Sequence, residues 1–238
     1  MSRASCRCRS ALASPPTSRP KVSILLEHDT ILLDPPDPAQ PDAVRPRHAA
    51  SLVVFRVAGG AVETLMGMRG AAHRFMPNRL VFPGGAVDLA DLTGDCASPL
   101  AAHTAFALRK QADDRLAHGI GVAAARELVE ETGLTLGAPP HLSMFGYLGR
   151  AVTPMPSPIR FNARFLSVAA DHVSGVLGGD GELDNLRFYP IEEALALDLA
   201  MPTRLVLQQL LVWLAMSEAE RIDRAHTPVM GRGGWRAE

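Results

Sequence analysis

The chain has 238 residues, a net charge of −1 and 47% apolar content. That is enough for one large domain with a substantial core, and it leaves no basic field to attract nucleic acid. Its three cysteines, Cys6, Cys8 and Cys96, are badly spaced for a disulfide framework, and no apolar run approaches the ~18 residues of a membrane span.

In chain order, the first 26 residues carry Arg3, Arg7, Arg9, Arg19 and Lys21 and no acid. They read as a disordered tail rather than a transit peptide, and Ile24-Leu25-Leu26 is too short for a secretory core. Pro35 to Pro46 reads as an extended, proline-rich linker. Residues 1–46 are therefore expected to be a loosely attached tail, 47–225 the folded domain and 226–238 a second tail. Ala49–Val57 and Val62–Arg69 are β-like around a Gly59-Gly60 turn. Leu80 and Val81 follow as a short strand. Leu100–Leu108 and Asp113–His118 suggest helices. Strands are expected near Met144–Leu148, Ile159–Val168 and Leu186–Tyr189. Pro190 opens a helix over Ile191–Leu197. Leu205–Met216 is an apolar helix whose Leu207, Leu210, Leu211 and Leu214 are expected in the core, with Trp213.

The most informative segment is Ala124–Leu134, Ala-Ala-Arg-Glu-Leu-Val-Glu-Glu-Thr-Gly-Leu. Glu127, Glu130 and Glu131 stand at i, i+3 and i+4, so they share one helical face. Like charges at that spacing repel, and a bound cation would relieve them; oxygen-only ligands favour Mg²⁺ or Mn²⁺. A solvated acidic face is the alternative. Val122, Ala125, Leu128 and Val129 form the apolar stripe, Arg126 can reach Glu130, and Gly133 suits a left-handed cap.

Upstream, Phe82-Pro83-Gly84-Gly85-Ala86-Val87-Asp88 follows the short strand, and Asp91 adds another acid. Glycines there allow close backbone approach to a ligand. With these residues the chain resembles the Nudix hydrolases. Gly85 matches the leading glycine of the family box, and Arg126, Glu127, Leu128, Val129, Glu130, Glu131, Gly133 and Leu134 match its second half. There are two departures: Asp91 stands where the first glutamate belongs, and residues 92–125 fill a gap that the family pattern spans with seven. A long insertion inside the box, together with Phe-Pro-Gly-Gly-x-x-Asp-x-x-Asp, is similar to the RP2-like branch, which includes a peroxisomal coenzyme A diphosphatase. Thr153-Pro154, Arg160 to Phe165, Gly181-Glu182-Leu183 and Pro202-Thr203 extend that likeness.

The resemblance implies an α/β fold, an α/β/α sandwich with a mixed sheet, a helical insertion (about 92–122) and a C-terminal helix. It implies a cytoplasmic, divalent-metal-dependent hydrolase of a nucleoside-diphosphate-X substrate, with neither nucleic acid nor membrane as partner. Glu127, Glu130, Glu131 and the Gly85 carbonyl are the implied ligands of Mg²⁺ or Mn²⁺, with Arg126 fixing a glutamate. Glu127 and Glu182 are alternative general bases, and Asp91 either binds metal through water or orders its loop. Arg69, Arg74 and Arg79 precede the glycines and could meet phosphates, Arg74 being read rather as solvated surface. Arg160 and Arg164 alternate with Phe161 and Phe165, so the arginine face is expected to line the cleft. The insertion is expected either to cap that cleft or to form a homodimer contact. CoA or acyl-CoA is the implied substrate; ADP-ribose, NADH, nucleoside triphosphates or a non-catalytic binding role are the alternatives.

Overall fold

The computed structural model describes residues 32–40, 42–70, 77–179, 181–224, 226–231 and 234–238. The expected tail up to residue 31, and Arg74, lie outside them.

The hub of the sheet is β1 (Arg47–Ala58), one residue or two longer at each end than its β-like pattern. It turns through Gly59 and Gly60, both at positive φ, into β2 (Ala61–Arg69). Next come β3 (Leu80–Val81) and β4 (Gly84–Ala86), then α1 (Ala102–Arg109), α2 (Asp114–Thr132) and a short β5 (Leu134–Thr135). Two longer strands follow, β6 (Gly146–Val152) and β7 (Phe161–Ala169), with a two-residue β8 (Ser174–Gly175). The chain continues through β9 (Leu183–Pro190), α3 (Ile191–Ala196), α4 (Met201–Ala215) and α5 (Glu218–Ile222). It closes on a hairpin, β10 (Pro228–Gly231) and β11 (Gly234–Ala237).

The large sheet runs β11-β10-β6-β7-β1-β2-β3, with β4 also on β1 and β9 also on β2. It is mixed: β7 lies parallel to β1 from Arg47↔Phe161 to Phe55↔Ala169, while β2 and β4 pair with β1 antiparallel. The other edge of β1 is divided, Ala49–Ser51 pairing with β4 and Phe55–Ala58 with β2. That division opens a gap in the sheet beside the glycines.

Period-2 alternation builds two cores. Ala50, Leu52 and Val54 of β1, with Leu166 and Val168 of β7, pack with α2 through Ile120, Ala124 and Leu128. Val53 and Phe165 point the other way, to Val206, Leu207 and Leu210 of α4. Helices thus cover both faces, the α/β/α sandwich that the resemblance implies. Each fully buried leucine stabilises this arrangement by roughly 2 kcal/mol. No helix among the described residues is long and apolar enough to cross a membrane.

Several expectations are corrected. Asp113–His118 and the acidic helix are one helix, capped by the Asp113 side chain on the Leu116 N–H at 2.7 Å and closed by Gly133 at φ 70°. Its buried face runs through Ala117, Ile120, Ala124 and Leu128, so Val129 is exposed. On α4, Leu211 is exposed while Val206 is buried. Trp213 is half-buried, edge-on to Phe55. Residues 226–238, expected as a tail, carry the β10–β11 hairpin, which extends the sheet beyond β6.

Candidate active site

The gap beside β4 leads into a cleft of about 500 Å³ on the α4 side of the sheet. Its floor is the outward face of β1 and β7: Ala49 and Ser51, Ala163 and Phe165. Its walls are Met201, Pro202 and Thr203 at the start of α4, and Met230 and Gly231 of β10. Glu127, Arg69, Glu182 and the Gly84–Ala86 backbone come together at one end.

Gly84 sets that end. It stands at φ 153°, and a Cβ there would fall 2.6 Å from Ser51 Cα. Only glycine permits this approach, and it turns the Gly84 N–H onto Glu131 Oε2 at 2.7 Å. Glu131 is 2% exposed and sits behind the cleft lining. Its other oxygen, Oε1, is buried without a hydrogen-bond partner among the described residues, 3.8 Å from Arg69 Nη2. Arg69 Nη2 is also 3.8 Å from Glu182 Oε1. Burial lifts the Glu131 carboxyl to about 8; Glu127 and Glu182 add to the rise, while the Gly84 N–H and Arg69 oppose it. Burial likewise pushes Glu127 up, against the neighbouring Arg126.

Arg126 is the organiser. It donates to Glu127 Oε1 (2.8 Å), Glu130 Oε2 (2.9 Å), Asp91 Oδ1 and Oδ2 (3.1 and 3.0 Å) and the Ala86 carbonyl (3.0 Å). One planar guanidinium thus ties the acidic helix to both the glycine strand and the Asp91 turn. Asp91 is 3% exposed and also accepts from the Asp88 N–H at 2.8 Å, so it orders the loop. Glu130 is turned to Arg126 and does not line the cleft.

Among the described residues, no three His, Cys, Asp or Glu side chains converge as they stand into a metal shell. Two observations nonetheless suit a cation. An orphaned carboxylate oxygen in a buried site carries a desolvation cost that a cation would relieve. A Cβ on Gly85 would lie 2.6 Å from Glu127 Cδ, so the absence of a side chain brings the carboxylate onto the glycine backbone. Glu127, Glu131 and the Gly85 carbonyl are the groups that could hold Mg²⁺ or Mn²⁺. Gly85→Ala is expected to displace the flexible Glu127 carboxylate, lowering turnover by at least ~10-fold with a stability change under ~1 kcal/mol; parallel kinetics and thermal melts check this.

Other expected site residues lie elsewhere. The aromatic face of β7 lines the cleft and the arginine face does not. Arg164 is buried, held by His48 Nδ1 (2.8 Å) and the carbonyls of Asn162 (2.9 Å) and Gln111 (3.0 Å). Arg160 grips the carbonyls of Thr153 (2.9 Å) and Val44 (2.8 Å). Arg79 is paired with Asp198. None of residues 92–122 lines the cleft, so the insertion does not cap it. Instead Leu92, Leu100 and Leu116 pack on the α2 core. Arg47, Ser51, Met201 and Met230 line the cleft without having been expected there. Only Arg47 and Ser51 had a pattern to give them away, the alternation of β1.

No protein-family model matches the sequence, and no curated protein does. Solved structures do. A Nudix hydrolase from Alicyclobacillus acidocaldarius is similar at a TM-score of 0.57 and 26% identity, over 74% of this chain and 95% of that one. The Nudix domain of Shewanella oneidensis NrtR, solved with ADP-ribose, matches at 0.49 and 13%, over 75% and 94%. A C. elegans Ap4A hydrolase matches at 0.44 and 17%, over 71% and 97%. The fold is thus similar to that of a Nudix hydrolase. Of the three glutamates on the acidic helix, Glu127 lines the cleft, Glu131 lies buried behind it and Glu130 does not line it.

Proposed function

We propose that the protein hydrolyses the diphosphate bond of a nucleoside diphosphate linked to a second group, with Mg²⁺ or Mn²⁺. The observation that carries this reading is the convergence of Glu127, Glu182, Arg69 and the Gly84–Gly85 backbone at one end of the cleft, with the unsatisfied Glu131 oxygen behind them. A divalent ion held there would neutralise phosphate oxygens and lower the pKa of a water.

The chain's own residues supply the rest. Arg69 is placed to meet a phosphate oxygen. Arg126 fixes Glu127 and Glu130, so that neither swings freely. Glu127 and Glu182 both face the cleft, and either can take a proton from the attacking water. Phe165, Met201, Pro202 and Met230 offer an apolar bed for the group beyond the diphosphate. That bed suits the pantetheine arm of CoA or an acyl-CoA, the substrate suggested by the RP2-like resemblance. Cleavage would release 3′,5′-ADP and an (acyl-)4′-phosphopantetheine.

The test is turnover of CoA, acetyl-CoA, ADP-ribose, NADH and nucleoside triphosphates, with each ion and with EDTA, products identified by mass. Release of 3′,5′-ADP from CoA, abolished by EDTA, is the expected result. Cleavage of ADP-ribose or NADH instead would keep the hydrolase and discard CoA. Metal-independent binding without turnover of any of them would favour a non-catalytic Nudix module.

A further inference from the structure

We infer that Arg150 and Glu238, braced by Lys110 of the insertion, are positioning residues: they fix the β10–β11 hairpin as the wall that selects the group beyond the diphosphate. This rests on the reading above for where the diphosphate lies.

Small side chains cross the sheet in one row. Ala86 pairs with Ala49, Ala49 with Ala163, Ala163 with Ala151 and Ala151 with Met230, and all five line the cleft. Methyl groups leave this trough open, and Met230 is the first large side chain along it. Four strand spacings of ~4.8 Å put Met230 about 19 Å from Ala86 along the sheet. Glu127 lies against Gly85, the neighbour of Ala86. A diphosphate that starts there ends well short of the hairpin, so only a long second group meets Met230.

The hairpin has few holds. β10 meets β6 at two residue pairs, Val229↔Arg150 and Met230↔Ala151. Trp235 Nε1 ties it to the Leu205 carbonyl on α4 at 3.1 Å. The opposite face is held by charge. Arg150 takes the Glu238 carboxylate with two prongs, Nε to Oε2 at 2.7 Å and Nη2 to Oε1. Such a bidentate grip fixes direction as well as distance. Lys110 Nζ donates to the Glu238 main-chain oxygen at 3.2 Å. Glu238 and Thr227 in turn bond each other's backbone across the open end of the hairpin, at 2.9 and 3.1 Å. Arg150 pairs with Arg164 in the β6–β7 register, so the grip lies on the α2 face, behind the wall. Neither Arg150, Glu238 nor Lys110 lines the cleft. Through Lys110 the insertion shapes a cleft that it does not line.

Methyl and dodecyl esters of ADP, each cleaved by water to AMP and the alkyl phosphate, read the wall without assuming a natural substrate. With Mg²⁺, wild type is expected to favour the dodecyl ester by at least ~10-fold in KM, since several methylenes are buried. Glu238→Gln is expected to cut that ratio by at least ~3-fold while kcat on the methyl ester stays unchanged, because a loosened wall costs ordering and contact. Lys110→Met carries the same test from a second element, with a smaller effect. Met230→Ala should collapse the ratio with the grip intact. An undiminished ratio in Glu238→Gln, or equal wild-type KM for the two esters, overturns the inference and keeps the hydrolase. If neither ester is cleaved, calorimetry with their α,β-methylene analogues gives the same ratio. A preference lost in Glu238→Gln then keeps the inference and removes the hydrolase reading, and no preference removes both.

Discussion

Glu131→Gln is expected to abolish turnover and, in the metal-free protein, to raise thermal stability above neutral pH. Glu131 is buried with one oxygen satisfied by the Gly84 N–H and the other, 3.8 Å from Arg69 Nη2, without a hydrogen bond among the described residues. Its carboxyl is lifted by burial from 4.5 to about 8. An acid whose folded pKa stands above its unfolded value contributes stability below the unfolded pKa and loses it as pH rises through the folded one. The metal-free wild type should therefore lose stability relative to the variant as pH rises from 4.5 towards 8. A glutamine keeps an oxygen for Gly84 and has no charge to bury. With EDTA the two proteins should melt alike near pH 5, and the variant several degrees higher near pH 8.5, given ~2–4 °C per kcal/mol for a domain of this size. Mg²⁺ should reverse the order at pH 8.5 by binding the wild type alone. Turnover should fall by on the order of 100- to 1000-fold, because the lost carboxylate acts where charge is concentrated. A wild-type minus variant melting difference that ignores pH and Mg²⁺ would refute this account of Glu131.

The same residues show how far sequence reaches. The three glutamates could be placed on one helix from spacing alone, since 3.6-residue periodicity is local. That the Asp113–His118 helix runs on without a break into the acidic helix was hidden by Gly119 and Gly121, each of which costs about 1 kcal/mol of helix propensity. Tertiary packing explains them: a Cβ on Gly119 would meet the Leu92 side chain at 2.7 Å and its backbone at 3.3 Å. The helix needs glycine there to lie against the turn that carries Asp91. The insertion therefore lengthens α2 and rebuilds the Asp91 turn, away from the cleft. On β7 the alternation of arginine and phenylalanine was legible, but period 2 says only that two faces differ. Which face meets the cleft is decided by α4 on one side and α2 on the other, contacts far away in sequence. The β10 and β11 strands, four residues each, are too short to show any period.

Arg126→Ala should be the most destabilising single change at this site. The guanidinium holds Asp91, whose side chain is 4% exposed, by two hydrogen bonds, and it also bonds Ala86, Glu127 and Glu130. Truncation leaves a buried carboxylate without its cation, and breaking such a pair costs about 3–5 kcal/mol. That is a large part of the roughly 5–15 kcal/mol that typically holds a domain together, and roughly 10 °C or more in melting temperature. Catalysis should fail as well, because Glu127 and Glu130 lose the group that orients them. The two effects can be separated by adding Asp91→Asn. An amide is far cheaper to bury than an unpaired carboxylate, so the double variant should recover a substantial part of the lost stability, with a coupling energy of about 1–3 kcal/mol. It should recover none of the activity, since nothing replaces the hold on Glu127. Recovery of turnover along with stability would mean that Arg126 serves the fold alone. Additive losses would mean that Asp91 and Arg126 are not coupled as their geometry requires.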